Sequence, residues 1–268
     1  MPEGDTLRKV ARLLAVELEG RVLAAGWLQR RPGVELAGSR VTNVHALGKH
    51  LDIEFDTGVV LRSHLGMTGS WHRYAAGAAW QRPRRQASIV LDTGETQFVC
   101  FNAVQAELLR MEGLRDRQQR HRLGPDLSAA DTDPGQVARR ARERLAMDTP
   151  LLDVLLDQAV GCGIGNVYKS ELMFLFRVPP ATRLGQIGDP RLAALYARAQ
   201  DLLRLNAASG PRRTRLAEDG RAGLWVYRRR GRLCLRCGAC IQSRSMGRHS
   251  RITYWCPECQ KSLVGEGD

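Results

Sequence analysis

The spacing of apolar residues changes period along the chain, and each change predicts a different kind of structure. Residues 3–18 place Leu7, Val10, Leu14 and Leu18, with Ala11, at helical spacing, and Gly20 ends the run; this predicts an N-terminal helix. From Arg21 to about Glu112 the pattern shortens. Runs such as Val22-Leu23, Leu51-Asp52-Ile53-Glu54-Phe55, Val59-Val60-Leu61 and Ser88-Ile89-Val90-Leu91 alternate or are β-branched, and Asp56-Thr57-Gly58 and Asp92-Thr93-Gly94 separate them as turns. This reads as an antiparallel β domain, a sandwich. Turn formers crowd Leu123-Gly124-Pro125-Asp126 through Asp133-Pro134-Gly135, which predicts a domain boundary. Helical spacing then returns at 135–146, about 149–159, 166–176 and 189–208, and short strands follow Gly220. The fold class is α+β, with no internal repeat. The expected domains are 1–124, a linker at 125–134, a helical domain at 135–219 and a cysteine-rich domain at 220–268.

Composition narrows the partners. The 268 residues are 43% hydrophobic, enough for substantial cores, but only 6% aromatic, so Leu, Val and Ala must build them. No apolar run approaches the ~18 residues of a membrane span. The first turn is charged and lacks an apolar signal core, which predicts a cytoplasmic protein with no membrane partner. A formal charge of +13 points to a polyanion, most simply nucleic acid. Lysine occurs only at Lys9, Lys49, Lys169 and Lys261; arginine, whose planar fork suits phosphate, supplies the rest.

Five of the seven cysteines lie between Cys234 and Cys259. Cys234-Leu-Arg-Cys237 and Cys256-Pro-Glu-Cys259 are two knuckles, each turning two thiolates toward one point. Together they predict one closed, structural zinc site. Cys240 competes, since Cys237-Gly-Ala-Cys240 has the same gap; Gly238 after Cys237 favours the outer assignment. A second motif joins two helices through Gly161-Cys-Gly163-Ile-Gly165-Asn166, with Asn166 expected as the cap of the second helix. Its free backbone amides could bind phosphate, or it could be an ordinary interhelical turn. Gly48-Lys49-His50 brings a lysine and a histidine into a strand. His64-Leu65-Gly66-Met67-Thr68-Gly69 is a loop whose methionine either packs or wedges between bases.

The N-terminus adds chemistry. Methionine before proline is normally removed, leaving Pro2 as a free secondary amine with a pKa near ~8. Such an amine attacks a carbonyl to give an iminium ion, with Glu3 beside it as a proton donor. Taken alone, Met-Pro-Glu also reads as a plain helix start.

Together and in this order, these motifs resemble the formamidopyrimidine-DNA glycosylase/endonuclease VIII family of base-excision repair enzymes, over residues 2 to about 261. The resemblance implies an N-terminal helix on an antiparallel β-sandwich, then a helix–two-turn–helix domain and a β-hairpin zinc finger, with DNA in a cleft between domains. It implies that Pro2 attacks the sugar C1′, that Glu3 protonates the opening deoxyribose, and that Lys49, Asn166 and Arg251 grip phosphates. Met67 matches a wedge beside His64, and Glu171 matches an acid of the site. The implied cofactor is one structural Zn2+ on Cys234, Cys237, Cys256 and Cys259; the implied partner is damaged DNA at the nucleoid, bound by a monomer.

Departures select a branch. Eighteen residues separate the knuckles, against a usual sixteen in the family, and Cys240 is extra. Guanine-directed members carry Asp-Pro-Arg-Arg-Phe in a second loop, where this chain has Cys100-Phe101-Asn102-Ala103-Val104-Gln105. The segment from Arg213 to Leu224 is short for their lesion-capping loop, and Thr6 replaces an acid. The expected activity is therefore that of the endonuclease VIII branch: removal of oxidised pyrimidines and β/δ-elimination at the abasic site. The alternatives are a guanine-directed glycosylase and a catalytically silent DNA-binding relative.

Overall fold

The computed structural model describes residues 2–29, 33, 35–208, 210–216 and 223–261. Met1 and residues 217–222 of the short pre-finger segment lie outside them. The chain forms two compact units, Met1–Arg122 and Leu123–Asp268.

In the first unit, helix α1 (Gly4–Leu18) buries Leu7, Ala11, Leu14 and Leu18, the stripe its spacing predicts. It packs on β2 (Val41–Leu47) and β3 (His50–Phe55). These strands belong to an antiparallel sheet completed by β4 (Val59–His64) and β8 (Gln105–Arg110), in the order β2-β3-β4-β8. A second antiparallel sheet contains β1 (Ala25–Leu28), β5 (Ser70–Ala75), β6 (Ala87–Asp92) and β7 (Thr96–Phe101), in the order β1-β6-β7-β5. Leu51, Ile53 and Phe55 from one sheet share a core with Ile89, Leu91 and Phe98 from the other, and α1 closes it. That is the expected sandwich.

One helix escapes the apolar pattern. Helix α2 (Leu114–His121) reads Leu-Arg-Asp-Arg-Gln-Gln-Arg-His and is held by charge. On the sheet face away from the shared core, Asp52 and Arg62 sit opposite each other on β3 and β4. Arg62 donates to both oxygens of Asp52, at 2.8 and 2.6 Å, and to Asp116 of α2 at 2.8 Å. Arg120 adds bonds to Asp116 at 3.0 Å and to Asp52 at 3.2 Å. Asp52, Arg62 and Asp116 are all buried.

The second unit holds α3 (Pro134–Arg144), α4 (Leu151–Leu156), α5 (Asn166–Leu175) and α6 (Asp189–Ala208) around Leu151, Val154, Tyr168, Leu172, Leu195 and Leu203. The helix expected over 149–159 is shorter, because Asp157 leaves helical geometry. The turn-rich stretch expected as a linker is woven into this unit. Leu127 is buried in its core, and the backbone of Pro125 and Leu127 bonds Cys162, at 2.9 and 3.1 Å. A hairpin of β9 (Gln242–Met246) and β10 (Arg251–Trp255) packs on α5. Its tip is anchored where Arg248 N donates to both carboxylate oxygens of Asp153, at 3.1 and 2.9 Å.

Candidate DNA-repair site

In the first unit the candidate residues lie at the head of α1, in the β2–β3 turn and in the loop after β4. Pro2 and Glu3 precede α1, and Glu3 is its N-cap with a buried side chain. The far end of the helix is tied to the start of β2: Gly20 N donates to Val41 O at 2.9 Å, and Val44 N donates to Glu19 at 2.8 Å. The strand β2 packs on α1, and its last residues lead into Lys49. Lys49 sits in the two-residue turn that joins β2 to β3. Gly48, at φ 57, is its first central residue, and a positive φ there alone is the type II′ pattern.

The register carries this end across the sheet: Leu47 pairs with His50, His50 with His64, and His64 with Gln105. The imidazoles of His50 and His64 meet edge to face at 5.0 Å. Burial, then His64 and Arg62, push the His50 pKa down to about 4. Burial, then Lys49, lower that of His64. His64 Nδ1 accepts from Gly66 N at 3.0 Å, so the neutral ring presents Nε2–H as its donor.

The loop after His64 holds its methionine out. Met67 is 66% exposed, and Gly69 N closes the turn on Leu65 O at 2.9 Å. A Cβ on Gly69 would stand 2.3 Å from that same oxygen, so only glycine fits. The neighbouring loop packs against it: Val104 N donates to His64 O at 3.0 Å, and the Val104 side chain lies over Gly66. Val104 is also exposed, at 59%. Sequence reasoning noted only the missing arginine–phenylalanine pair here and did not single out Val104, whose placement beside Met67 depends on the register.

In the second unit α4 leads to α5 through a connection stapled by Gln158. Its amide donates to Leu156 O at 2.8 Å and Ile164 O at 3.1 Å, and accepts from Gly163 N at 3.2 Å. The cap of α5 is Gly165, and Asn166 is the first helical residue rather than the expected cap. The Asn166 side chain turns to β10, donating to Ile252 O at 2.8 Å and accepting from Lys169 Nζ at 2.7 Å. Lys169 also reaches Thr253. Arg251 begins β10 and is exposed.

Glu171 is wholly buried, and its carboxylate is taken up inside this unit. It accepts from the backbone of Trp225 at 2.8 Å, Val226 at 2.9 Å and Tyr227 at 2.8 Å, and from the Thr214 hydroxyl. Burial pushes its pKa up against the pull of these donors. In this unit Glu171 clamps the strands of chain on both sides of the pre-finger segment.

Cys234, Cys237, Cys256 and Cys259 bring their sulfurs within 4.8 Å of one another, a group that could hold a metal ion. Four sulfurs at ~2.3 Å around a tetrahedral zinc stand about 3.8 Å apart. The Cys234–Cys259 and Cys237–Cys256 separations of 3.9 and 3.4 Å fit that sphere. Cys240 is exposed and outside the group.

Residues 1–106 match the family model of the formamidopyrimidine-DNA glycosylase N-terminal domain, and residues 123–216 that of the formamidopyrimidine-DNA glycosylase H2TH domain. The chain is 40% identical to a probable endonuclease 8 2 of Streptomyces coelicolor, covering 97% of this chain and 94% of that protein. It is 39% identical to the DNA-(apurinic or apyrimidinic site) lyase Nei2 of Mycolicibacterium smegmatis, covering 97% and 99%. The fold is similar to Lactococcus lactis Fpg in complex with DNA containing an abasic site, at TM-score 0.81 and 22% identity, over 97% and 100% of the two chains.

Proposed function

The chain belongs to the formamidopyrimidine-DNA glycosylase/endonuclease VIII family, and from that premise we propose that it is a bifunctional DNA glycosylase and AP lyase of base-excision repair, acting on oxidised pyrimidines. The observation that carries the reading is the register that brings the Lys49 turn, the His50–His64 pair and the loop of the exposed Met67 to one end of the β2-β3-β4-β8 sheet. Pro2 and Glu3, at the head of α1 in the same unit, supply the amine and the proton donor that the reading requires. The endonuclease 8 and AP lyase relatives, alike over nearly the whole chain, favour the pyrimidine branch.

A base inside a duplex shields its sugar, so the damaged nucleotide must be extruded, with Met67 filling the gap. After removal of Met1, the Pro2 nitrogen lone pair forms a bond to C1′ and the base departs. Glu3 gives a proton to the deoxyribose ring oxygen as the ring opens. The resulting iminium draws electrons and acidifies the C2′ protons. Loss of one of them expels the 3′ phosphate by β-elimination, and a second elimination releases the 5′ phosphate. Lys49, the His64 Nε2–H, Asn166 and Arg251 hold the phosphates meanwhile. Glu171 acts at one remove, by fixing the chain on either side of 217–222. The four thiolates fit one zinc, which when bound closes the finger and supports Arg251 without entering the chemistry. The acting species is a monomer on damaged DNA in the cytoplasm, at the nucleoid.

Borohydride reduction tests this directly. The protein should be trapped on abasic-site DNA through Pro2, and Pro2→Gly or a retained Met1 should abolish trapping. Undiminished trapping with a blocked N-terminus would move the nucleophile elsewhere, Lys49 first.

A further inference from the structure

Lys169 is fully buried in the first turn of α5. A cation there is disfavoured twice. Burial strips its water, and the N-terminal end of a helix is itself positive. Yet its ammonium is tightly directed, donating to Asn166 Oδ1 at 2.7 Å and Thr253 Oγ1 at 2.8 Å. Asn166 in turn donates from Nδ2 to Ile252 O at 2.8 Å. An ammonium only donates and a carbonyl only accepts, so the Asn166 amide can face only one way.

We propose that Lys169 is a positioning residue for the phosphate grip. It fixes the amide of Asn166 and ties the head of α5 to β10, the strand that begins with Arg251. Strand alternation puts Arg251 and Thr253 on one face, so the tether acts two residues from the arginine. Two phosphate ligands distant in sequence are thereby held as one rigid element. The ammonium also adds positive potential behind a helix terminus that already attracts anions. The proposal rests on the reading of Asn166 and Arg251 as phosphate ligands.

A purely structural role makes a different forecast. Methionine fills similar space but takes the ammonium donor from Asn166 Oδ1 and Thr253 Oγ1, so a purely structural Lys169 would lower Tm and leave the affinity of the folded protein as it is. The test uses the full chain with its metal and a duplex carrying a tetrahydrofuran abasic analogue. Lys169→Met should lower Tm and, measured on folded protein well below that temperature, raise Kd about tenfold or more, the size expected for a charged hydrogen bond. At saturating DNA, kcat per borohydride-trappable molecule should stay within about twofold, because Pro2 is untouched. Lys169→Arg should restore most of the affinity. Lys169→Met added to Asn166→Ala should cost little beyond Asn166→Ala alone, since both act through one amide. Wild-type affinity in Lys169→Met, or full additivity with Asn166→Ala, would overturn the proposal. If Lys169→Met does not fold, Thr253→Val is read against the same outcomes. Wild-type affinity in both Asn166→Ala and Arg251→Ala would instead remove the phosphate reading beneath it, while borohydride trapping reports separately on the activity.

Discussion

His50 shows how a single residue links the site to pH. Its pKa falls to about 4 because burial, His64 and Arg62 all oppose its charge. In the unfolded chain it titrates near ~6.5. Between these values the unfolded state binds the extra proton, so the contribution is complete above about pH 6.5 and is lost as pH falls toward 4. The loss is up to about 3 kcal/mol, and His50→Gln should flatten that part of the profile in urea titrations at pH 7, 6 and 5. Glu171 makes a second residue-scale forecast. Glu171→Ala leaves three backbone N–H groups and the Thr214 hydroxyl without their acceptor. A cost of about 3 kcal/mol or more is expected in thermal unfolding, along with faster proteolysis within 213–227.

At the scale of elements, the charge layer under α2 and the loop carrying Met67 depend on different physics. Asp52→Asn strands Arg62 between partners it no longer balances, and breaking one member of a buried pair costs about 3–5 kcal/mol. Asp52→Asn should therefore destabilise the first unit strongly, whereas a double replacement of Asp52 and Arg62 by apolar residues should destabilise it less. A double-mutant cycle by chemical denaturation would separate the two. Gly69→Ala attacks the loop instead, because its Cβ meets Leu65 O. Excision from duplex DNA should fall more than cleavage of a ready-made abasic site in a single strand. The wedge offsets unstacking of roughly a few kcal/mol, which single strands largely avoid. Met67→Ala should show the same split; equal losses on both substrates would remove the wedge.

For the whole molecule, metal and substrate give the decisive measurements. Cys237→Ser should lose stoichiometric zinc and Cys240→Ser should keep it, read by metal analysis of the purified protein. Chelation should weaken DNA binding before it reduces trapping at Pro2, since the thiols lie in the second unit and Pro2 in the first. On a panel of single-lesion duplexes, thymine glycol or 5-hydroxyuracil should be excised faster than 8-oxoguanine. The reverse order would reassign the branch.

The sequence by itself determined the features that local spacing encodes. The apolar stripe of α1, the alternation of Leu51, Ile53 and Phe55, and the paired knuckles each have a period or a gap that permits few geometries. It could not show α2, because a helix of charged residues has no apolar period and is held by partners on β3, β4 and β8. Nor could it show that residues 125–134 join the second unit, since their turn chemistry is the same whether they hang free or bond to Cys162. Asn166 looked like a cap and is instead the first helical residue, its amide held between Lys169 and β10. Glu171, matched by resemblance to an acid of the site, is bonded to Thr214 and to the backbone of 225–227. In both cases the deciding partner lies far along the chain, Asn166 bonding β10 and Glu171 bonding 225–227. Periodicity and knuckle spacing are local, but a buried polar side chain takes its role from whichever group the fold brings to it, and only tertiary structure decides that.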